Sequence, residues 1–137
     1  MPAEGVFSCA LTIKSDTRYL SFLRQWVDAA AAAAGRRLGG RARVALKLAL
    51  VEAVDNAIFH AHGGDGRIPI KVEITFRDDE ATVQVVDTGR GIGHPSKILP
   101  GLMSDHGRGL FLMRSMMTSV RSRVKDGRHS LRMKLAI

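Results

Sequence analysis

The chain has little of what marks a secreted, membrane-spanning or disordered protein. Its 137 residues include one cysteine, Cys9, so no internal disulfide can close and a reducing compartment fits best. No apolar run approaches the roughly 20 residues that a bilayer-spanning helix needs. The first residues, Met1-Pro2-Ala3-Glu4-Gly5, lack the basic start and apolar stretch of a signal peptide. A cytoplasmic location, away from membranes, is the expectation. No His, Cys or carboxylate set has zinc-ligand spacing, so no structural zinc is expected. Acids are also scarce, 13 Asp and Glu against 21 Lys and Arg, for a formal net charge of +8. That balance suits an acidic partner or a nucleotide, and equally a solvated basic surface.

What remains is ordinary globular chemistry, 45% apolar and 25% charged. One domain over residues 1–137 is expected, with no internal repeat. Phe7, Cys9, Leu11 and Ile13 alternate with smaller polar residues, the pattern of a half-buried strand. Ser15-Asp16 can cap a helix in which Tyr19, Leu20, Phe22, Leu23, Trp26 and Val27 have helical spacing, continued by alanines to Gly35. A second helix is predicted from about Arg41 to His62. Two alternating strands follow, around Val72-Ile74-Phe76 and Ala81-Val83-Val85, with a turn at Asp78-Asp79-Glu80. A third helix is predicted from near Gly107 to about Thr118, with Leu112, Met113 and Met116 at core spacing. Asp126-Gly127 then signals a closing hairpin. Alternation in every strand requires one covered and one wet sheet face, so the helices must share a face. The expected fold is α/β of the α+β kind: a two-layer sandwich with a mostly antiparallel, mixed sheet and a basic outer surface.

Three short segments interrupt this pattern. Glu52 and Asn56 lie four residues apart, on one face of the second helix. Such a pair suits a solvent-facing stripe, or a magnesium site. Mg²⁺ keeps several waters, so one amide oxygen plus nucleotide phosphates can hold it. A carboxylate beside it can accept a proton. Asp55 and His60 share that edge. Next, Asp87 follows an apolar strand and leads into Gly89-Arg90-Gly91-Ile92. A carboxylate there can accept a hydrogen bond from the exocyclic amine of adenine, whereas guanine presents a carbonyl. By itself this is also an ordinary strand-to-loop turn. Finally, Gly107-Arg108-Gly109-Leu110 opens the third helix, where free backbone N–H groups can face phosphate. Between the glycine segments, Lys97 can reach a phosphate from a short lid.

In this order the three segments resemble the ATP site shared by DNA gyrase, the Hsp90 chaperones, MutL and sensor histidine kinases. The compact build, short intervening loop and terminal hairpin resemble the bacterial anti-sigma factor serine-kinase group, from about Phe7 to Leu135. The resemblance implies a Bergerat-type ATP-binding fold, with Glu52 as general base and Asn56 as magnesium ligand. It places Asp87, Gly89, Gly91, Ile92, Lys97, Gly107, Arg108, Gly109 and Leu110 around ATP. It further implies a homodimer that sequesters a sigma factor and phosphorylates a small antagonist protein on serine or threonine. Some kinase members carry an arginine just before the second glycine box, and here that stretch reads Ser104-Asp105-His106. The alternative is a nucleotide-binding interaction module without kinase activity. A nucleic-acid partner is not expected, because the basic residues of the last hairpin lack interleaved stacking aromatics.

Overall fold

The computed structural model describes residues 5–61, 67–87 and 106–137, without the side chains of residues 60, 61 and 106–110. The first strand, β1 (Phe7–Lys14), runs through a short 3₁₀ turn at Thr17–Tyr19 into helix α1 (Leu20–Ala33). Asp16 caps that turn, its carboxylate accepting from the Arg18 amide at 2.9 Å. At the other end of α1, Gly35 takes φ +70°. The Arg36 amide bonds to the Ala31 carbonyl at 2.9 Å and the Gly35 amide to Ala32 at 3.0 Å, the paired closure that a left-handed glycine permits. Helix α2 (Gly40–Asn56) continues into a π-helical turn at Ala57–Ala61. The strands β2 (Pro69–Phe76) and β3 (Glu80–Asp87), the helix α3 (His106–Met116) and the hairpin β4 (Ser119–Lys125) and β5 (Arg128–Ala136) follow. Asp126 (φ +53°) and Gly127 (φ +75°) form the hairpin turn, both left-handed as a two-residue connection demands.

The five strands lie in the order β1-β2-β3-β5-β4, and all four ladders are antiparallel. The expected mixed character is therefore absent among the described strands. The long connection through α3 carries the chain past one strand position, and β5 then folds back into the gap by its tight hairpin. The sheet's inner face carries Ile70, Val72, Ile74, Phe76, Val83 and Met133, all fully buried. Against it pack the helices, with α2 between α1 and α3 and in contact with β3 and β5. Leu46, Leu50 and Val54 of α2 are fully buried there. The outer face carries Arg121, Arg123 and Arg132, exposed as the alternation requires.

Two apolar residues that fit the helical spacing, Leu112 among those read at core spacing, are exposed. Phe22 is 50% exposed on α1 and Leu112 is 51% exposed on α3. Each stands next to a residue that faces the sheet, Leu23 and Met113. Turning 100° per residue carries the neighbour out of the narrow stripe that meets the layer below. No helix among the described residues is long and apolar enough to cross a membrane.

Candidate functional site

Chain connectivity brings the described candidate residues toward one end of the sandwich. The last strand residue of β3, Asp87, pairs with Ile70 near the start of β2. Only a short connection separates that start from the π turn that extends α2 beyond Asn56. Asn56 and Asp87 thus belong to the same end of the two layers. The exit of α3 is held at the other end, where the Thr118 amide bonds to the Lys134 carbonyl at 2.8 Å and Lys134 pairs with Thr82. Thr82 to Asp87 is five strand residues, about 17 Å. Eleven helical residues cover about 16 Å, so α3 begins toward the Asp87 end.

Glu52 and Asn56 occupy the last turn and a half of α2. Glu52 is half-buried, while Asn56 is 2% exposed. Its side-chain oxygen Oδ1 has no hydrogen-bond partner among the described residues. A buried amide oxygen left unmatched costs about 1–3 kcal/mol, so native chains rarely keep one without a use. A buried amide oxygen is the hard ligand chemistry that Mg²⁺ takes, and Asn56 fits a magnesium-bearing nucleotide on that ground. The widened π turn follows Asn56 immediately, a distortion that recurs at functional positions. Asp55 is half-buried, and His60 lies in the π turn with its side chain outside the described residues.

Asp87 is 1% exposed and faces inward, one alternation beyond Val85. Directly across the ladder is His129 of β5, itself 5% exposed. The His129 Nδ1 atom lies 3.3 Å from Asp87 Oδ2, and its Nε2 lies 2.8 Å from Ser122 Oγ on β4. Three adjacent strands thus contribute one side chain each to a polar row, buried at Asp87 and His129 and half-buried at Ser122. Neither His129 nor Ser122 was singled out in the sequence reading. The signal was present for His129: extending the alternation Leu135, Met133, Leu131 by one step places it on the covered face.

Gly107, Arg108, Gly109 and Leu110 form the first turn of α3, where backbone N–H groups have no intrahelical acceptor. Their side chains, and all of Gly89, Gly91, Ile92 and Lys97, lie outside the described residues.

Residues 13–135 match the protein family described as the histidine kinase-like ATPase domain. The chain belongs to that family. As a histidine kinase-like ATPase domain it has relatives among anti-sigma factors. The anti-sigma F factor of Clostridium acetobutylicum is 29% identical over 89 residues, 61% of this chain and 62% of that protein. The anti-sigma F factor of Clostridium botulinum is 35% identical over 57 residues, 42% of this chain and 40% of that protein. The matched segments thus span about two fifths to three fifths of those relatives' lengths. In shape, this domain resembles the crystal structure of the RsbU and RsbW domains of Rv1364c from Mycobacterium tuberculosis, with TM-score 0.65 and 16% identity. That likeness covers 94% of this chain and 31% of the other. The Acinetobacter baumannii histidine kinase AdeS aligns over 93% of this chain and 67% of its own, with TM-score 0.50 and 13% identity. Both likenesses concern the fold of the ATPase domain.

Proposed function

We propose that this chain is an ATP-binding anti-sigma regulator that phosphorylates a small antagonist protein on serine or threonine and holds a sigma factor. The observation that carries the reading is buried Asn56 Oδ1, unmatched among the described residues, one turn beyond Glu52 and at the same end of the sandwich as buried Asp87. Family membership supports the nucleotide, and the names of the relatives support the regulatory role.

In this reading Asp87 accepts from the adenine amine and excludes guanine, whose carbonyl would face a carboxylate. Gly89, Gly91 and Ile92 border the base, and Lys97 reaches the phosphates from the intervening segment. The first turn of α3, from Gly107 through Arg108 and Gly109 to Leu110, offers its N–H groups and the positive end of its dipole to the phosphates. Asn56 Oδ1 would hold Mg²⁺, which would supply positive charge beside the phosphates. Glu52 accepts the proton of the attacking hydroxyl. The working unit is a homodimer.

Replacing Asn56 by alanine is expected to lower ATP affinity about tenfold in the presence of Mg²⁺ and to change it little in EDTA, since only the metal-dependent part uses the amide. Calorimetry in the two buffers reads the difference. Equal losses in both would show that Asn56 serves packing alone.

The net charge of +8 and the exposed arginines of the outer face suit an acidic partner surface. Arg121→Glu combined with Arg123→Glu should lower the association rate with the cognate sigma factor more than it raises the dissociation rate. Stopped-flow mixing at low and high salt checks this, and an unchanged association rate rejects the steering role.

The test of the whole reading is a binding screen of the host's sigma factors and small single-domain antagonists with and without ATP, followed by incubation of each binder with labelled ATP. A sigma factor bound and an antagonist phosphorylated are expected. A second reading has one observation in its favour: no arginine precedes the second glycine box in Ser104-Asp105-His106. A bound partner that never acquires phosphate would identify the chain as a nucleotide-dependent binding module.

A further inference from the structure

The row Asp87, His129 and Ser122 has a chemistry of its own. Asp87 and His129 are both more than nine-tenths buried, and they pair directly across β3 and β5. An ionised carboxylate can only accept hydrogen bonds, so the atom 3.3 Å from Asp87 Oδ2 must carry a proton: His129 Nδ1 is the N–H side of the ring. The opposite nitrogen, Nε2, is 2.8 Å from the Ser122 hydroxyl. A hydroxyl both donates and accepts. It can donate to a bare Nε2 when the ring is neutral, or accept from Nε2–H when the ring is charged. Ser122 therefore secures the ring plane in either state, and the ring in turn secures the carboxylate.

We propose that His129, held by Ser122, is a positioning residue that sets the orientation of the Asp87 carboxylate and thereby its selection of adenine over guanine. The inference rests on the reading of Asp87 as the adenine acceptor. The physical reason is angular. A carboxylate turns about its last side-chain bond in a broad, shallow well. Tying Oδ2 to a buried imidazole fixes the carboxylate plane and so the lone-pair directions of Oδ1. A carboxylate held in one plane meets the adenine amine at hydrogen-bond geometry and faces the guanine carbonyl with no means of turning aside. Without the imidazole contact its plane is less tightly set, which weakens the first contact and relieves the second.

The first test uses the intact wild-type chain labelled with ¹⁵N. The imidazole spectrum of His129 should show a proton on Nδ1, alone or together with one on Nε2, and the Nδ1 signal should shift when ADP is added. A ring protonated on Nε2 alone would overturn the proposal, because a bare Nδ1 cannot donate to a carboxylate. The second test measures ATP and GTP affinity by calorimetry. His129→Leu should lower ATP affinity about tenfold and GTP affinity much less. His129→Asn, whose amide nitrogen takes the place of Nδ1, should recover most of the preference. His129→Gln, whose amide takes the place of Nε2, should not. This Asn and Gln comparison decides the matter even if the leucine variant fails to fold, and equal behaviour of the two would overturn the proposal. The underlying reading is checked separately. A wild-type chain without ATP preference, or an Asp87→Asn variant with unchanged ATP affinity, removes both together. Loss of preference in Asp87→Asn alongside wild-type selectivity in His129→Leu removes only the role of His129.

Discussion

Glu52→Ala is expected to abolish phosphoryl transfer to the cognate antagonist while leaving ATP affinity within about twofold of wild type. The expectation comes from division of labour along one helix face. Asn56 is buried with an unmatched oxygen, while Glu52, one turn earlier, is half-buried and so accessible to a proton donor. A positioned general base contributes about 10²–10⁴-fold to a rate, and losing it leaves the binding contacts in place. Single-turnover transfer with labelled ATP, beside calorimetry of the same preparation, separates the two quantities. Glu52→Gln should behave like the alanine variant, since an amide keeps the shape but accepts no proton at neutral pH. Full transfer by either variant would reject the base assignment. Equal loss of transfer and of ATP binding would make Glu52 a binding residue instead.

Asp87→Asn is expected to weaken ATP binding by about 1–3 kcal/mol, roughly 5-fold to 150-fold, with GTP affected far less. The substitution conserves volume, so at a site 1% exposed it isolates polarity from packing. It acts twice. The amide can turn a donor toward the adenine amine, which also donates, and it exchanges a charge-assisted contact with His129 Nδ1 for a neutral one. Thermal unfolding of the nucleotide-free variant measures the second effect alone, and the difference between nucleotide-bound and nucleotide-free shifts measures the first. An unchanged ATP to GTP ratio would sink the adenine assignment whatever happened to stability.

Much of the fold was legible in short-range pattern. Period-two alternation marked all five strands, and the residues it assigned to the covered face of β2 and β3 are buried. Asp126-Gly127 forms the left-handed pair that its chemistry suggested, and Gly35 ends α1 in the left-handed conformation. These succeed because each depends on a backbone preference or a periodicity contained within a few residues. Pattern failed where burial depends on what lies opposite. Phe22 and Leu112 fit a helical apolar stripe, yet the layer beneath is too narrow to cover them. The π turn after Asn56 was not legible either, because its widening is a local change of hydrogen-bond register that no residue type demands.

For the candidate site the division is similar. The sequence alone determined which residues are candidates for chemistry: a carboxylate and an amide one helical turn apart, an aspartate closing an apolar strand, and glycines opening a helix. Only the tertiary structure decided that Asn56 Oδ1 is buried without a partner among the described residues, because burial of a helix face is set by the sheet it lands on. It also decided that Asp87 meets His129. His129 is 42 residues away in the chain, and the two meet because β5 inserts between β3 and β4 in one particular register. A shift of one residue would turn His129 to the outer face, among the arginines. Alternation says which side of a strand a residue faces, but the residue it faces is chosen by non-local ladder pairing, which no local pattern encodes.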